Sequence, residues 1–205
     1  MTTAITDDVE VAEVAPRPPS RVPVGERALS LGTMLVMAAD LVVLGAIVAA
    51  YLAVKQGVAD WPPDRVVVGT YIPTVVTVTA ALSSFSAQWA LYAARRNDPR
   101  NVATGLALTT FFGLAMFLAE LQALDVDFGV SSHPYGTFYF LLLGYHLAHL
   151  VAVLPILGLV AGRALAGHFP PGRVDAIRAS GILWHATTVI WYVVVTVLFL
   201  LSRHA

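Results

Sequence analysis

Five long runs of apolar residues make up most of the chain, and short breaks rich in polar residues and proline separate them. An α-helix needs about 20 residues to cross a hydrocarbon core of roughly 30 Å. Every run reaches that length. The pattern therefore predicts an all-α integral membrane bundle of five transmembrane helices, over Leu29–Val54, Gly69–Ala94, Val102–Leu124, Gly136–Gly162 and Ile177–Leu201.

Prolines and small residues inside the runs predict where helices kink and where they pack closely. Neighbouring helices can satisfy the carbonyl that a buried proline frees, so Pro73 and Pro155 are interpreted as kinks rather than helix ends. Gly158 and Gly162 form a small-xxx-small pattern that allows close helix approach. Ser83-Ser84-Phe85-Ser86 is compatible with hydrogen bonds between helices, although ordinary packing is favoured for it.

The twelve Lys and Arg residues indicate how the helices are oriented. Lys and Arg concentrate in cytoplasmic loops. One side of the predicted membrane carries nine of them, so the N-terminus is expected inside and the C-terminus outside. The nine are Arg17, Arg21, Arg27, Arg95, Arg96, Arg100, Arg163, Arg173 and Arg178, and the three on the other side are Lys55, Arg65 and Arg203.

The first 27 residues differ in composition from the rest of the chain. They carry Asp and Glu followed by several prolines, with no positive segment leading into an apolar one, so they do not form a cleavable signal peptide. Such a composition is typical of disorder. We therefore predict a disordered cytoplasmic tail over residues 1–27 and one transmembrane domain over residues 28–205.

Composition narrows the chemistry that the chain can perform. It is 58% hydrophobic and 12% charged and has no cysteine. The absence of cysteine excludes disulfides, thiolate metal sites, iron–sulfur clusters and thiol catalysis, and it leaves histidine and carboxylate chemistry open. No nucleic-acid partner is predicted at a net charge of −1.

Two acids stand inside the apolar runs, where ionisable groups are costly and usually have a task. Asp40 has no Lys or Arg within helical reach. It is either a proton-linked or lipid-contacting acid, or a neutral acid that hydrogen-bonds a neighbouring helix. Glu120, Gln122 and Asp125 lie at the outer end of the third run. Glu120 is more than a turn deeper than Asp125, so it faces a partner helix or subunit, whereas Asp125 is expected to be interfacial and hydrated.

Three histidines also lie in the apolar runs. His146 and His149 stand at i and i+3, on one side of the fourth predicted helix, and His185 follows Trp184 in the fifth. Counting 1.5 Å per residue, the three can reach a similar depth, where they could ligate haem or copper. A structural network is favoured, because neutral imidazole can bridge two helices by hydrogen bonds.

Taken in order, several sequence blocks resemble subunit III of the haem-copper cytochrome c oxidases. Each block alone is weak, but their order over roughly residues 30 to 200 is specific. The blocks are Asp40 to Tyr51, Thr79-Ala-Ala-Leu-Ser-Ser84 with Ala93-Ala-Arg-Arg96, Phe117-Leu with Gln122-x-x-Asp125, Tyr135-Gly-Thr-Phe-Tyr-Phe140, Gly144-Tyr-His-x-x-His149, and Trp184-His185 with Trp191.

The resemblance implies the five-helix form found in short bacterial members, which lacks the first two of seven helices. It implies a non-catalytic subunit in the bacterial cell membrane that contains neither haem nor copper, both being expected in partner subunits. Such a subunit packs against oxidase subunit I, binds phospholipid and supports proton uptake during oxygen reduction.

The same resemblance assigns individual residues. Asp40 and Asp125 stand where the family usually has Glu, and four residues match directly: His146, His149, Trp184 and His185. Thr188 departs from the pattern, because many members have Asp there.

Three other functions stay open at this point. Similar subunits accompany nitric oxide reductases. A membrane cytochrome b would use His146 or His149 with His185 as axial haem ligands. A small proton-coupled carrier would use Asp40 and Glu120, but the sequence shows no internal repeat.

Overall fold

The computed structural model describes residues 24–63, 69–125, 133–170, 172 and 174–202. In this part of the chain the fold is all-helical. Helix α5 continues directly into a π-helical turn, Thr196–Leu200. The five helices are α1 (Val24–Gln56), α2 (Tyr71–Arg95), α3 (Pro99–Ala123), α4 (Pro134–Leu165) and α5 (Asp175–Val195).

Each helix overlaps one predicted run. Four helices begin earlier than predicted, and at α3 and α4 a capping residue and a proline explain the earlier start. The Asp98 side chain accepts the backbone N–H of Asn101 at 3.2 Å, and Pro99 occupies the first position of α3. His133 Nδ1 accepts the N–H of Tyr135 at 3.1 Å ahead of α4. Proline suits a first helical position, where its missing N–H costs nothing.

Neither internal proline ends its helix. Pro73 is the third residue of α2, in the first turn, where the N–H has no intrahelical acceptor. Pro155 lies well inside α4. Helix α1 begins at Val24, within the segment predicted as a tail, and residues 1–23 lie outside the described residues.

Among the described residues, four helices are long and apolar enough to cross a membrane: α1, α3, α4 and α5 with its π-helical turn. The prediction of a multi-pass helical membrane protein is confirmed. Helix α2 has the same length as α3, 25 residues, but it contains many Ser and Thr residues and does not reach that apolarity. Its membrane crossing stays a prediction.

Four helices surround a common core, and α1 lies outside them. Helix α2 packs on α3 and α5, α4 packs on α3 and α5, and α1 rests mainly on α5. The largest enclosed side chains include Trp184, Trp191, Tyr135 and Met116.

Two glycines let helices approach closely. A Cβ on Gly105 would lie 2.9 Å from the Cβ of Ala90 in α2, and one on Gly113 would lie 2.6 Å from Leu154 Cδ2. By contrast, a Cβ on Gly158 or Gly162 would meet nothing within 4 Å. That small-xxx-small pattern therefore brings no described neighbour close.

The end of the bundle that holds the α1–α2 connection is closed by side chains from that connection and from α1. Trp61 is buried, and its indole N–H donates to the Tyr51 hydroxyl at 2.8 Å. The Trp61 ring meets the Tyr51 and Tyr135 rings edge-on. Lys55 Nζ donates to the backbone carbonyl of Leu201. These contacts attach the C-terminal half of α1 to α4 and to the end of α5.

Candidate functional site

Helix α4 carries two histidines that reach carboxylates on different helices. His149 Nε2 lies 2.8 Å from Asp40 Oδ2 on α1. His146 Nδ1 lies 2.8 Å from Glu120 Oε2 on α3. The two residues are three positions apart, which places them about 60° apart around the helix axis. This difference in direction is enough for one histidine to contact α1 and the other α3.

The cluster around Asp40 uses both carboxyl oxygens. The Tyr145 hydroxyl donates to Asp40 Oδ1 at 2.6 Å and also lies 3.0 Å from the Asp40 backbone carbonyl. His149 contacts the other oxygen, and its Nδ1 lies 2.7 Å from the Tyr145 carbonyl. Asp40 has no Lys or Arg partner among the described residues; a histidine and a tyrosine of α4 contact it instead.

Backbone acceptors fix how each histidine carries its protons. A carbonyl oxygen can only accept, so His149 Nδ1 must be protonated to bond the Tyr145 carbonyl. The Asp40–His149 contact then contains one proton, held either on the carboxyl or on the imidazole. In the same way, His146 Nε2 must be protonated, because it lies 3.1 Å from the Thr187 carbonyl, and the Glu120–His146 contact contains one proton. Each pair is therefore neutral in total and shares a single proton.

The two pairs differ in their surroundings. Glu120 and His146 have no exposed side-chain surface, and the His146 ring lies 5.3 Å from the ring of Trp191. Glu120 Oε1 finds no hydrogen-bond partner among the described residues. The Asp40 and His149 side chains are 19% and 16% exposed. Asp40 also lies sixteen residues from either end of α1, about 24 Å along the helix.

The third histidine stands apart from these pairs. His185 is half-buried on α5, and its ring makes no hydrogen bond within the described part of the chain. No group of three or more His, Asp or Glu residues suited to a metal ion occurs among the described residues. Both ring nitrogens of His146 and of His149 are engaged in hydrogen bonds. Neither ring offers a free nitrogen to a haem iron, so the geometry disfavours the cytochrome alternative.

The remaining residues of the predicted site lie elsewhere. Gln122 is exposed near the end of α3, and its side chain has no hydrogen bond to a described residue. Asp125 follows that helix and is exposed. Trp184 is buried, and its indole N–H donates to Ser83 Oγ on α2 at 3.1 Å. Trp184 thus joins α5 to α2, not to the histidine pairs.

Hydroxyl groups complete the contacts of α2, and two of them, Thr77 and Thr109, were not singled out in the sequence. Trp191 Nε1 donates to Thr77 Oγ1 at 3.0 Å. Two hydroxyl pairs bridge helices, Ser84 with Thr188 at 3.1 Å and Ser86 with Thr109 at 2.8 Å. The serine run therefore does hydrogen-bond neighbouring helices, where ordinary packing was expected. Thr188, which departs from the pattern of the resemblance, forms one of these hydroxyl pairs.

Comparison with known proteins shows which family this sequence matches. The sequence model of the family described as cytochrome c oxidase subunit III matches residues 20–202. Cytochrome c oxidase subunit 3 of Thermostichus vulcanus is 26% identical over 176 residues, which cover 84% of this chain and 87% of that protein.

Two further relatives carry the same name. The protein of Corynebacterium diphtheriae is 27% identical and covers 80% of this chain and 83% of its own length. The protein of Alkalihalophilus pseudofirmus is 21% identical, and the matched region covers 95% of this chain and 97% of that protein.

Proposed function

The chain belongs to the cytochrome c oxidase subunit III family, and from this premise we propose that it serves a bacterial haem-copper terminal oxidase as its non-catalytic subunit III. In this role it packs against the catalytic subunit I, binds phospholipid and supports proton uptake. Haem and copper belong to the partner subunits. The complex lies in the cell membrane, with the N-terminus of this chain inside.

The Asp40–Tyr145–His149 cluster is the observation that carries this proposal. It places a shared proton deep in the membrane, on a surface of the bundle that is partly open. Polar groups exposed to hydrocarbon are costly, so such a surface favours contact with another protein. The pair is neutral in total and holds one proton, so it can pass that proton to a neighbour without leaving a net charge in lipid only when a second proton replaces it.

Co-purification tests the assembly. A tag after Ala205 should bring down a large haem-containing subunit from detergent-solubilised membranes. The chain purified alone should contain no haem, because the ring nitrogens of His146 and His149 are already engaged. A stoichiometric Soret band that disappears in His146→Ala or His185→Ala would instead support the cytochrome.

Two substitutions at Asp40 separate a proton role from a structural one. In Asp40→Asn the amide oxygen still accepts from Tyr145 and the amide nitrogen still donates to His149 Nε2, so the geometry is kept and the shared proton is lost. We expect this complex to assemble and to turn over more slowly, or to inactivate sooner, at high pH. Asp40→Leu leaves both partners unpaired and should weaken assembly.

Oxygen consumption measured against pH on assembled complexes distinguishes these outcomes. Asp125→Asn is the matched control, because it removes an exposed carboxyl at the end of a helix. If Asp40→Asn equals the wild type at every pH, including during prolonged turnover, the proton role is wrong and only a structural role is left.

Reporter fusions test the orientation. A reporter placed after Asn97 should be cytoplasmic, and one placed after Ala205 should be external, as the distribution of Lys and Arg predicts. The opposite pattern would overturn the orientation.

A further inference from the structure

Helix α2 carries a straight row of large side chains on its outward face. Successive members are alternately four and three residues apart, and each is between 39% and 80% exposed. With that spacing the side chains lie along one line of the helix. We call these residues the α2 stripe: Tyr71, Val75, Val78, Leu82, Phe85, Trp89 and Tyr92.

The polar side chains that lower the apolarity of α2 have their hydrogen bonds satisfied. Ser83, Ser84 and Ser86 contact α5 or α3. The hydroxyls of Thr74 and Thr79 donate to carbonyls one turn earlier in the chain, at 2.7 and 2.8 Å. A hydroxyl bonded in this way has little of the cost that an unpaired one has in hydrocarbon. The composition of α2 therefore does not prevent it from crossing a bilayer.

The ends of the α2 stripe match the thickness of a membrane. Trp89 lies eighteen residues beyond Tyr71 and Tyr92 lies twenty-one, which correspond to about 27 and 32 Å of helix. A hydrocarbon core is about 30 Å thick, and Trp and Tyr concentrate at its two interfaces. The Arg96 guanidinium lies 4.5 Å from the centre of the Tyr92 ring, at the end where lipid phosphates would be.

With α2 crossing the bilayer, as the sequence predicts, we propose that the α2 stripe lies directly against lipid acyl chains, with Tyr71 at one interface and Trp89 and Tyr92 at the other. The face of the chain that meets the partner subunit is then elsewhere. This inference does not depend on the proton role of Asp40.

A lipid occupant is favoured over a partner helix by the residues themselves. Interfaces between membrane helices are rich in small residues that let backbones approach. Helix α2 uses such residues on its inward face, where Ala90 meets Gly105 of α3. The α2 stripe contains no Gly, Ala, Ser or Thr. Its aliphatic middle and aromatic ends instead reproduce the composition of a lipid-facing surface.

Accessibility of single spin labels tests the proposal. The chain has no cysteine, so one cysteine can be introduced at a time and labelled with a nitroxide. Val78→Cys and Leu82→Cys probe the middle of the α2 stripe, and Arg95→Cys is the water-exposed control. In phospholipid vesicles we expect the two stripe labels to relax with oxygen but not with a water-soluble nickel chelate. The Arg95→Cys label should show the reverse preference.

The same labels are then measured in the assembled oxidase, where the stripe positions should keep their oxygen accessibility. Loss of oxygen accessibility on assembly would show that a partner helix covers the stripe. Nickel accessibility at Val78→Cys and Leu82→Cys would show that α2 does not cross the membrane. Either result overturns the proposal.

Quenching by brominated phospholipids gives a second test without labels. Trp89 is 40% exposed, whereas the other three tryptophans are buried. Lipids brominated near the headgroup should quench more strongly than lipids brominated near the chain end, and Trp89→Phe should abolish most of the quenching. Equal quenching in the wild type and in Trp89→Phe would contradict the placement of Trp89.

Discussion

The buried Glu120–His146 pair gives a sharp prediction, because two substitutions at Glu120 distinguish a neutral pair from an ionic one. His146 donates from Nε2 to the Thr187 carbonyl, so Nδ1 of a neutral ring accepts from the carboxyl group. In Glu120→Gln an amide N–H can donate to Nδ1 in the same way. In Glu120→Leu no donor is left.

The size of each effect follows from burial. Neither side chain is exposed, so a deleted donor cannot be replaced by bulk water. An unsatisfied buried polar group costs about 1–3 kcal/mol, whereas breaking a buried ion pair costs about 3–5 kcal/mol. Oε1 of Glu120 accepts no hydrogen bond from a described residue. A buried oxygen without a donor costs less free energy when it is the carbonyl oxygen of a neutral acid than when it belongs to a charged carboxylate. We therefore expect a loss of about 2 kcal/mol for Glu120→Leu and of less than 1 kcal/mol for Glu120→Gln.

Unfolding in mixed micelles of increasing SDS content, followed by tryptophan fluorescence, measures these differences. Gln122→Leu is the control, since Gln122 is exposed near the same end of α3 and should change little. If Glu120→Gln is as destabilised as Glu120→Leu, the shared proton resides on His146 and the pair is ionic, so the assignment of the proton to Glu120 is wrong.

Two further predictions concern packing and pH. Gly113→Ala should destabilise the chain by about 1–3 kcal/mol in the same SDS titration, because the new Cβ would lie 2.6 Å from Leu154 Cδ2 and 2.7 Å from Trp184 Cη2. Gly181→Ala has open space at its Cβ and should not destabilise; equal losses would refute the steric argument. Hydrogen bonds, first from the backbone N–H of Asn101, lower the pKa of Asp98. Its stabilising contribution should therefore be complete above about pH 4, the unfolded value, and lost as the pH falls through the lower folded pKa. Thermal melting of Asp98→Asn should lack that pH dependence, and a parallel decline in both proteins would contradict the assignment.

The helices could be predicted from the sequence because hydropathy is a local property. Apolar runs of sufficient length form helices whatever their neighbours are, and all five were found within a few residues of their observed ends. The predicted start was least accurate at α1, which begins at Val24 rather than Leu29. At α3 and α4, Pro99 and Pro134 begin the helix instead of preceding it.

The pairing of the ionisable residues could not be predicted, because it depends on which helix faces which. Asp40 and His149 are 109 residues apart, and no local spacing indicates that they meet. The i, i+3 spacing of the histidines suggested one shared face. The direction of each side chain and the positions of α1 and α3 decide that the two histidines contact different carboxylates.

The packing of α1 mainly on α5 has a consequence for folding during synthesis. Helix α1 leaves the ribosome before the other four described helices, yet it rests mainly on α5, which is made after them, and Lys55 reaches a carbonyl 146 residues further on. During synthesis α1 can contact α4 through Asp40 and His149 before α5 is made, but its contacts with α5 and with Leu201 form later. Complete docking of α1 is therefore a late step of folding. A nascent chain that stops before Leu201 would lack the contact that Lys55 makes beyond the end of α5.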